Sequence, residues 1–308
     1  MAWGLALSGG GILGAAHLGV LRALGEWGLQ PDTLAGTSAG GLTAGVLAAG
    51  AGLEALVDYG RVVSRTPLRY LRPRAVALLA ELLPEDPLPP ADSLFDSAPF
   101  IEGLLDLCPE GARTLRQWRL PTALTAVDLA SGEAVAFVRR SDAGFVAPRG
   151  RWRAVAEADL ATALQATMAM PGVYTPVRGR DTFLVDGGVA DTLPVDWAAA
   201  LGATRVLAVD VSPAAPGVPE RAGILWSLTE SAAYATSTLS ALRRPRLARV
   251  LTLTPDTRGV SACAFSAFDH LVEAGYAEAV RRKEEVVAFV GPPPAAGSAT
   301  AAYEGTVP

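Results

Sequence analysis

The chain has 308 residues, is 50% hydrophobic, and carries a formal charge of −5 with a pI near 5.2. That length and apolar content suffice for a full buried core. The acidic balance argues against nucleic acid as the main partner, because phosphate binding needs a basic surface.

The predicted elements alternate between strand and helix. Trp3 to Leu7 reads as a buried strand that runs into Ser8-Gly9-Gly10-Gly11, and a helix from about Gly14 to Trp27 follows with apolar Leu18, Leu21 and Leu24 on one face. Asp32 to Ala35 predicts a short strand, and after it comes Gly36-Thr37-Ser38-Ala39-Gly40, with a small-residue helix expected to about Val63. Between Arg65 and Pro90, prolines and arginines surround an apolar helical piece, Ala75 to Leu83, which suits either a core helix or a lid touching a lipid surface. Further on, a helix is expected from Ala98 to Leu107, strands at Thr122–Val127 and Ala134–Val138, a helix from Glu157 to Met168, and a strand at Thr182–Val185 ending in Asp186-Gly187-Gly188. A helix at Pro194–Leu201, a strand at Arg205–Val211, a helix at about Ile224–Leu242, a strand at Arg249–Leu253 and one long helix from Asp269 to Phe289 complete the pattern. The alternation predicts a three-layer α/β/α domain with a mostly parallel central sheet. Residues 1–290 are expected to form this single domain and 291–308, rich in Ala, Gly and Pro, a disordered tail.

No run reaches the ~18–20 apolar residues of a membrane span. Met1 to Leu5 lacks the basic and apolar regions of a signal peptide. Cys108 and Cys263 have no metal-ligand or Cys-x-x-Cys spacing and read as free thiols. A cytoplasmic protein, open to peripheral contact with the inner membrane face, is expected. Neither a metal nor a cofactor is expected.

Gly-Thr-Ser-Ala-Gly between a strand and a helix has the form of a nucleophile elbow, in which the turn lifts Ser38 clear of the sheet at a helix N-terminus. The glycine loop admits two functional readings. Gly9, Gly11 and Gly14 fit the dinucleotide fingerprint G-x-G-x-x-G, with Asp32 near the place of a ribose-binding acid, which would make the chain an NAD(P)-dependent oxidoreductase. Alternatively, Gly9, Gly10 and Gly11 aim backbone N–H groups into one small space as an oxyanion hole. Close packing alone is a third explanation of the glycines. A Walker lysine is absent from this loop, which disfavours an NTPase.

A serine nucleophile needs a proton acceptor. His270 would complete the chain order Ser38, Asp186, His270, but it opens the last helix without a Gly-rich loop, and His17 lies inside the first helix. Asp186 ends a strand and is followed by two glycines, so it belongs at an open sheet edge. There, burial would have to raise its basicity.

Taken together, these motifs resemble the patatin-like phospholipase family. Leu5 to Gly11 with Gly14 to Leu21 resembles its opening block, Ala169 to Val177 its segment before the aspartate, and Asp186 to Pro194 the run after it; Phe268 to Tyr276 is similar to the end of bacterial members. The resemblance implies a patatin-like fold and a serine lipid-acyl hydrolase with a Ser–Asp dyad. It implies Ser38 as nucleophile, Asp186 as base, and Gly9, Gly10 and Gly11 as the oxyanion loop. The expected partner is a lipid or other acyl ester. Leu13 stands where the family usually has Arg or Lys, which turns the expectation toward a neutral ester or lysolipid. Acyl transfer to an acceptor other than water would use the same acyl-serine, and a non-enzymatic lipid-binding module is a further alternative.

Overall fold

The computed structural model describes residues 2–74, 92–139, 148, 152–212 and 249–291 and, within 213–248, residues 223, 227, 231, 232, 234–236 and 238. Strand β1 (Trp3–Leu7) leads through a 3-10 turn (Gly11–Gly14) into α1 (Ala15–Glu26), and β2 (Thr33–Thr37) leads through Ser38 into α2 (Ala39–Ala49). Next come α3 (Leu53–Arg65), α4 (Pro67–Tyr70), β3 (Arg72–Pro73), β4 (Ser93–Asp96), α5 (Ala98–Asp106), β5 (Thr122–Asp128) and β6 (Glu133–Arg139). The chain continues with β7 (Trp152–Val155), α6 (Leu160–Met168), β8 (Gly172–Tyr174), β9 (Val177–Arg178), β10 (Phe183–Asp186), α7 (Val195–Ala200), β11 (Arg205–Val209), β12 (Arg249–Leu253), α8 (Phe268–Arg281) and α9 (Lys283–Val290).

The main sheet has the order β12-β11-β1-β2-β5-β10-β9, with β6 and β7 beyond β5. Its centre, from β12 to β5, is parallel. Its two faces differ in side-chain size. Leu5, Leu7, Leu34, Leu124, Leu207 and Val209 join the large core with residues of α1, α2, α6 and α8. On the other face Ala6, Ala35, Ala123 and Ala208 pack with α7 around Trp197. Two apolar faces demand two helical layers, and alternation of large and small residues along each strand delivers both.

One register places the site. Residues Thr122–Thr125 of β5 pair in parallel with Leu34–Thr37 of β2, while Ala126–Asp128 of the same strand pair antiparallel with Leu184–Asp186 of β10. Because β6 pairs with β5 along its whole length, β2 and β10 must share the opposite flank. They therefore point their C-termini at each other, with Thr37 opposite Thr125 and Asp186 opposite Ala126. The residues at and just past the two strand ends, Ser38 and Asp186, are brought together from positions about half the chain apart.

The structure corrects several boundaries. The helix expected to run to Val63 is two helices, broken at Gly50, whose φ of 101° suits only a residue without a side chain. The last helix is likewise divided, at Arg282. Strands β3, β4 and β8 form a second, three-stranded sheet that periodicity did not predict. Asp186 reaches the carboxyl edge of the parallel strands on an antiparallel strand. The expected helix at 75–83 and the tail at 292–308 lie outside the described residues, as does most of the helix expected at 224–242.

Candidate active site

Ser38 has φ 54° and ψ −124° and is the one non-glycine residue at positive φ among the described residues. Such a conformation costs on the order of 1–3 kcal/mol and persists only where the surroundings enforce it. Here the close approach of three chain segments does so. A Cβ on Gly36 would strike the Gly40 carbonyl, and one on Gly40 would strike the Leu7 and Ser8 carbonyls. Both glycines of the pentapeptide are thus required by β1 and the turn itself. The Ser38 N–H donates to Thr167 Oγ1 at 3.1 Å, so helix α6 braces the elbow from below.

The Ser38 side chain is set against the Asp186 carboxylate, where it favours the charged form. Asp186 is buried, and its Oδ1 accepts from the Gly188 N–H at 2.7 Å. Burial pushes this carboxyl up from the usual 3.8 to about 6, against Ser38 and the Gly188 N–H, which favour the charged form. Asp186 is therefore mostly ionised at neutral pH and far more basic than a surface aspartate. The strand ends beneath are fastened together: Thr37 and Thr125 hydroxyls are 2.6 Å apart, and Thr37 donates to the Asp191 carbonyl at 3.0 Å. Since Thr37 gives its one proton to Asp191, Thr125 is the donor to Thr37.

The glycine loop passes beside the elbow, and a Cβ on Gly9 would lie 3.2 Å from Ser38 Cβ. Its three amides are not equivalent. The Gly9 N–H already donates to the Thr192 carbonyl at 2.9 Å, whereas the Gly10 and Gly11 N–H groups have no acceptor among the described residues. Gly11 has φ 58° and lies under the Ala262 carbonyl, which accepts from Ile12 N–H at 3.0 Å. Ser8 anchors the loop: its Oγ donates to the Gly9 carbonyl at 3.0 Å and accepts from Val211 N–H at 2.9 Å.

His17 Nε2 donates to the Ser8 carbonyl at 2.9 Å, so this nitrogen carries the ring proton. Burial lowers the His17 pKa to about 4, and its buried Nδ1 has no partner, as befits a neutral ring. His17 supports the loop from below. His270 is exposed on the first turn of α8, and no histidine bonds to Ser38 or Asp186 among the described residues. The dinucleotide reading loses its acid: Asp32 precedes β2 at the amino edge of the sheet, where its carboxylate accepts from Trp3 N–H at 2.8 Å and its own N–H donates to the Trp3 carbonyl. Leu13 is fully buried in the main core.

Three residues that sequence patterns did not single out complete the surroundings. Thr167 and Ser8 act as described above. Tyr174 closes the segment whose Ala169 carbonyl accepts from the Asp186 N–H at 2.9 Å, and burial pushes its hydroxyl well up. Among the described residues, no three His, Cys, Asp or Glu side chains gather as metal ligands, and no helix is long and apolar enough to cross a membrane.

Residues 5–199 match the family model described as patatin-like phospholipase. An NTE family protein of Mycobacterium tuberculosis is 30% identical over 209 residues, covering 68% of this chain and 48% of that protein. Lysophospholipase NTE1 of Kluyveromyces lactis is 26% identical, covering 97% of this chain and 20% of its own length. This chain thus spans about half or less of these relatives. The crystal structure of VipD from Legionella pneumophila aligns with 92% of this chain and 67% of its own at 15% identity and a TM-score of 0.46.

Proposed function

Since this chain belongs to the patatin-like phospholipase family, we propose that residues 1–290 act as one lipid-acyl hydrolase domain using Ser38 and Asp186 as a dyad. The observation that carries the reading is the meeting of Ser38, just past the end of β2, with Asp186, at the end of β10, a buried carboxylate whose pKa is raised to about 6. Ser38 Oγ attacks the ester carbonyl carbon while its proton passes to Asp186. The oxygen that becomes negative is met by the N–H groups of Gly10 and Gly11, the loop donors without another acceptor. Gly9 contributes by holding the loop to Thr192. Collapse of the tetrahedral intermediate breaks the ester C–O bond, and the departing alkoxide takes the proton from Asp186. Water, deprotonated by the same carboxylate, then cleaves the acyl-serine and releases the fatty acid.

The relatives named lysophospholipases support a glycerolipid ester as the substrate class. The buried, uncharged Leu13 removes one cation from beneath the loop and favours a neutral ester or lysolipid. Hydrolysis of lysophospholipid and of a short-chain ester by wild type, Ser38→Ala, Asp186→Asn and His270→Ala tests the reading. Turnover should vanish in Ser38→Ala, fall ~10²–10⁴-fold in Asp186→Asn, and survive in His270→Ala. Retained turnover in Ser38→Ala would remove the dyad, and loss in His270→Ala would restore a triad.

A further inference from the structure

Helix α2 leads away from Ser38, and α3 returns the chain to the edge where Ser38 and Asp186 meet. The second half of α3 packs on segments that border the site. A Cβ on Gly60 would enter the Phe268 ring, and Arg61 Nε donates to Asp269 at 2.8 Å. The segment leading to Phe268 carries Ala262 against Gly11. Beyond α3, strand β3 joins through β4 to β8, which follows closely on Ala169, whose carbonyl accepts from the Asp186 N–H at 2.9 Å.

Along this return path the surface is both apolar and basic. Val62 is 48% and Leu68 64% exposed, and Arg65, Arg69 and Arg72 are exposed around them. Residues 60–74 hold five arginines and no carboxylate, on a chain whose net charge is −5. Arg61 is paired with Asp58 and Asp269, and Arg74 with Asp92. Arg65, Arg69 and Arg72 enter no ion pair among the described residues, unlike Arg22, Arg153 and Arg258, which hold Glu273, Asp128 and Asp256. Guanidinium groups with no ion-pair partner among the described residues, flanking exposed Val and Leu, meet the two demands of an anionic lipid surface, charge at the headgroups and apolar insertion below them.

We propose that Val62, Arg65, Leu68, Arg69 and Arg72 dock the protein on an anionic bilayer, presenting the neighbouring site to lipid esters in that membrane. This rests on the lipid hydrolase reading for its purpose, and the experiment separates the two. Full-length Ser38→Ala, which leaves vesicles intact, is sedimented with phosphatidylcholine vesicles and with vesicles containing about a third phosphatidylglycerol. At about fivefold per arginine, three arginines predict binding ~100-fold tighter to the anionic vesicles. Arg65→Ser/Arg69→Ser/Arg72→Ser should remove that preference, as should added salt. Leu68→Ser should weaken binding to both vesicle types. In the Ser38 background, the triple arginine variant should keep wild-type turnover of a soluble short-chain ester and lose turnover of vesicle-borne ester. Equal binding to both vesicle types, or undiminished anionic binding by the triple variant, overturns the proposal. Binding to polyglutamate without binding to anionic vesicles assigns the patch to an acidic protein and overturns it too. Anionic binding in a protein that hydrolyses no ester supports the docking surface while removing the hydrolase reading; ester turnover without vesicle binding does the reverse.

Discussion

Replacing Asp186 by Asn tests chemistry and stability in one variant. Asn keeps the shape and the acceptor oxygen but cannot ionise. In the folded protein the carboxyl sits at about 6 against the usual 3.8, because burial outweighs Ser38 and the Gly188 N–H. The folded-state pKa is the higher one, so below about pH 4 both folded and unfolded chains hold the proton and no penalty exists. As pH rises toward 6 the unfolded chain ionises first and stability falls, and above 6 the full cost persists. At 1.36 kcal/mol per pH unit that cost is about 3 kcal/mol. Asn removes it, but its amide NH2 buries a donor where the carboxylate presented only acceptors, at a cost of ~1–2 kcal/mol. The net expectation is a variant more stable than wild type by ~1–2 kcal/mol at about pH 8, a Tm gain of roughly 2–6 °C. At about pH 4 the gain should disappear or change sign. Thermal melts of both proteins across this range, with ester turnover alongside, read the effect. Wild-type kcat/KM should rise through about pH 6 and then level, following ionisation of Asp186. A Tm difference between the proteins that is the same at both pH values would refute the argument that burial holds the carboxyl up.

Three further substitutions probe the supports. Gly40→Ala drives a methyl into the Leu7 and Ser8 carbonyls, so it should cost at least ~3 kcal/mol, read as a lower urea midpoint with unchanged slope. Thr167→Val leaves the Ser38 N–H without its acceptor; a stability loss of ~1–3 kcal/mol is expected, with kcat reduced more than KM is changed. Ser8→Ala removes the hydroxyl that joins the Gly9 carbonyl to the Val211 N–H, and a similar loss of stability should accompany reduced turnover. Unchanged midpoints in the last two variants would mean that neither hydroxyl holds the elbow or the loop.

The fold was legible where periodicity and punctuation agree. Trp3–Leu7 has the predicted bounds because its apolar run ends at Ser8 and the glycines, and Arg249–Leu253, a β-branched and leucine stretch opened by arginine, because it ends before Thr254-Pro255. The break at Gly50 is hidden because Gly and Ala run through α2 and on through Ala51-Gly52, so one more glycine does not stand out, and the break at Arg282 carries no Gly or Pro at all. Strands of two to four residues, such as Arg72–Pro73 and Gly172–Tyr174, are too short to show alternation. Ser38, Asp186 and the glycine loop announced themselves through local backbone demands. Thr167, Ser8 and Tyr174 act across tertiary contacts, and no local pattern marks them. The uneven use of the loop amides has the same origin, since the acceptor of Gly9 is Thr192, far along the chain. Asp186 was expected at an open edge, but its pairing with Ala126 on the flank shared with β2 could come only from the assembled sheet.

The most direct test of the dyad is to react the folded protein with a fluorophosphonate and find the modified residue by peptide mass spectrometry. A single adduct on Ser38 is expected, absent from Ser38→Ala and formed far more slowly in Asp186→Asn. An adduct on another serine, or labelling of Ser38 at full rate without Asp186, would contradict the account.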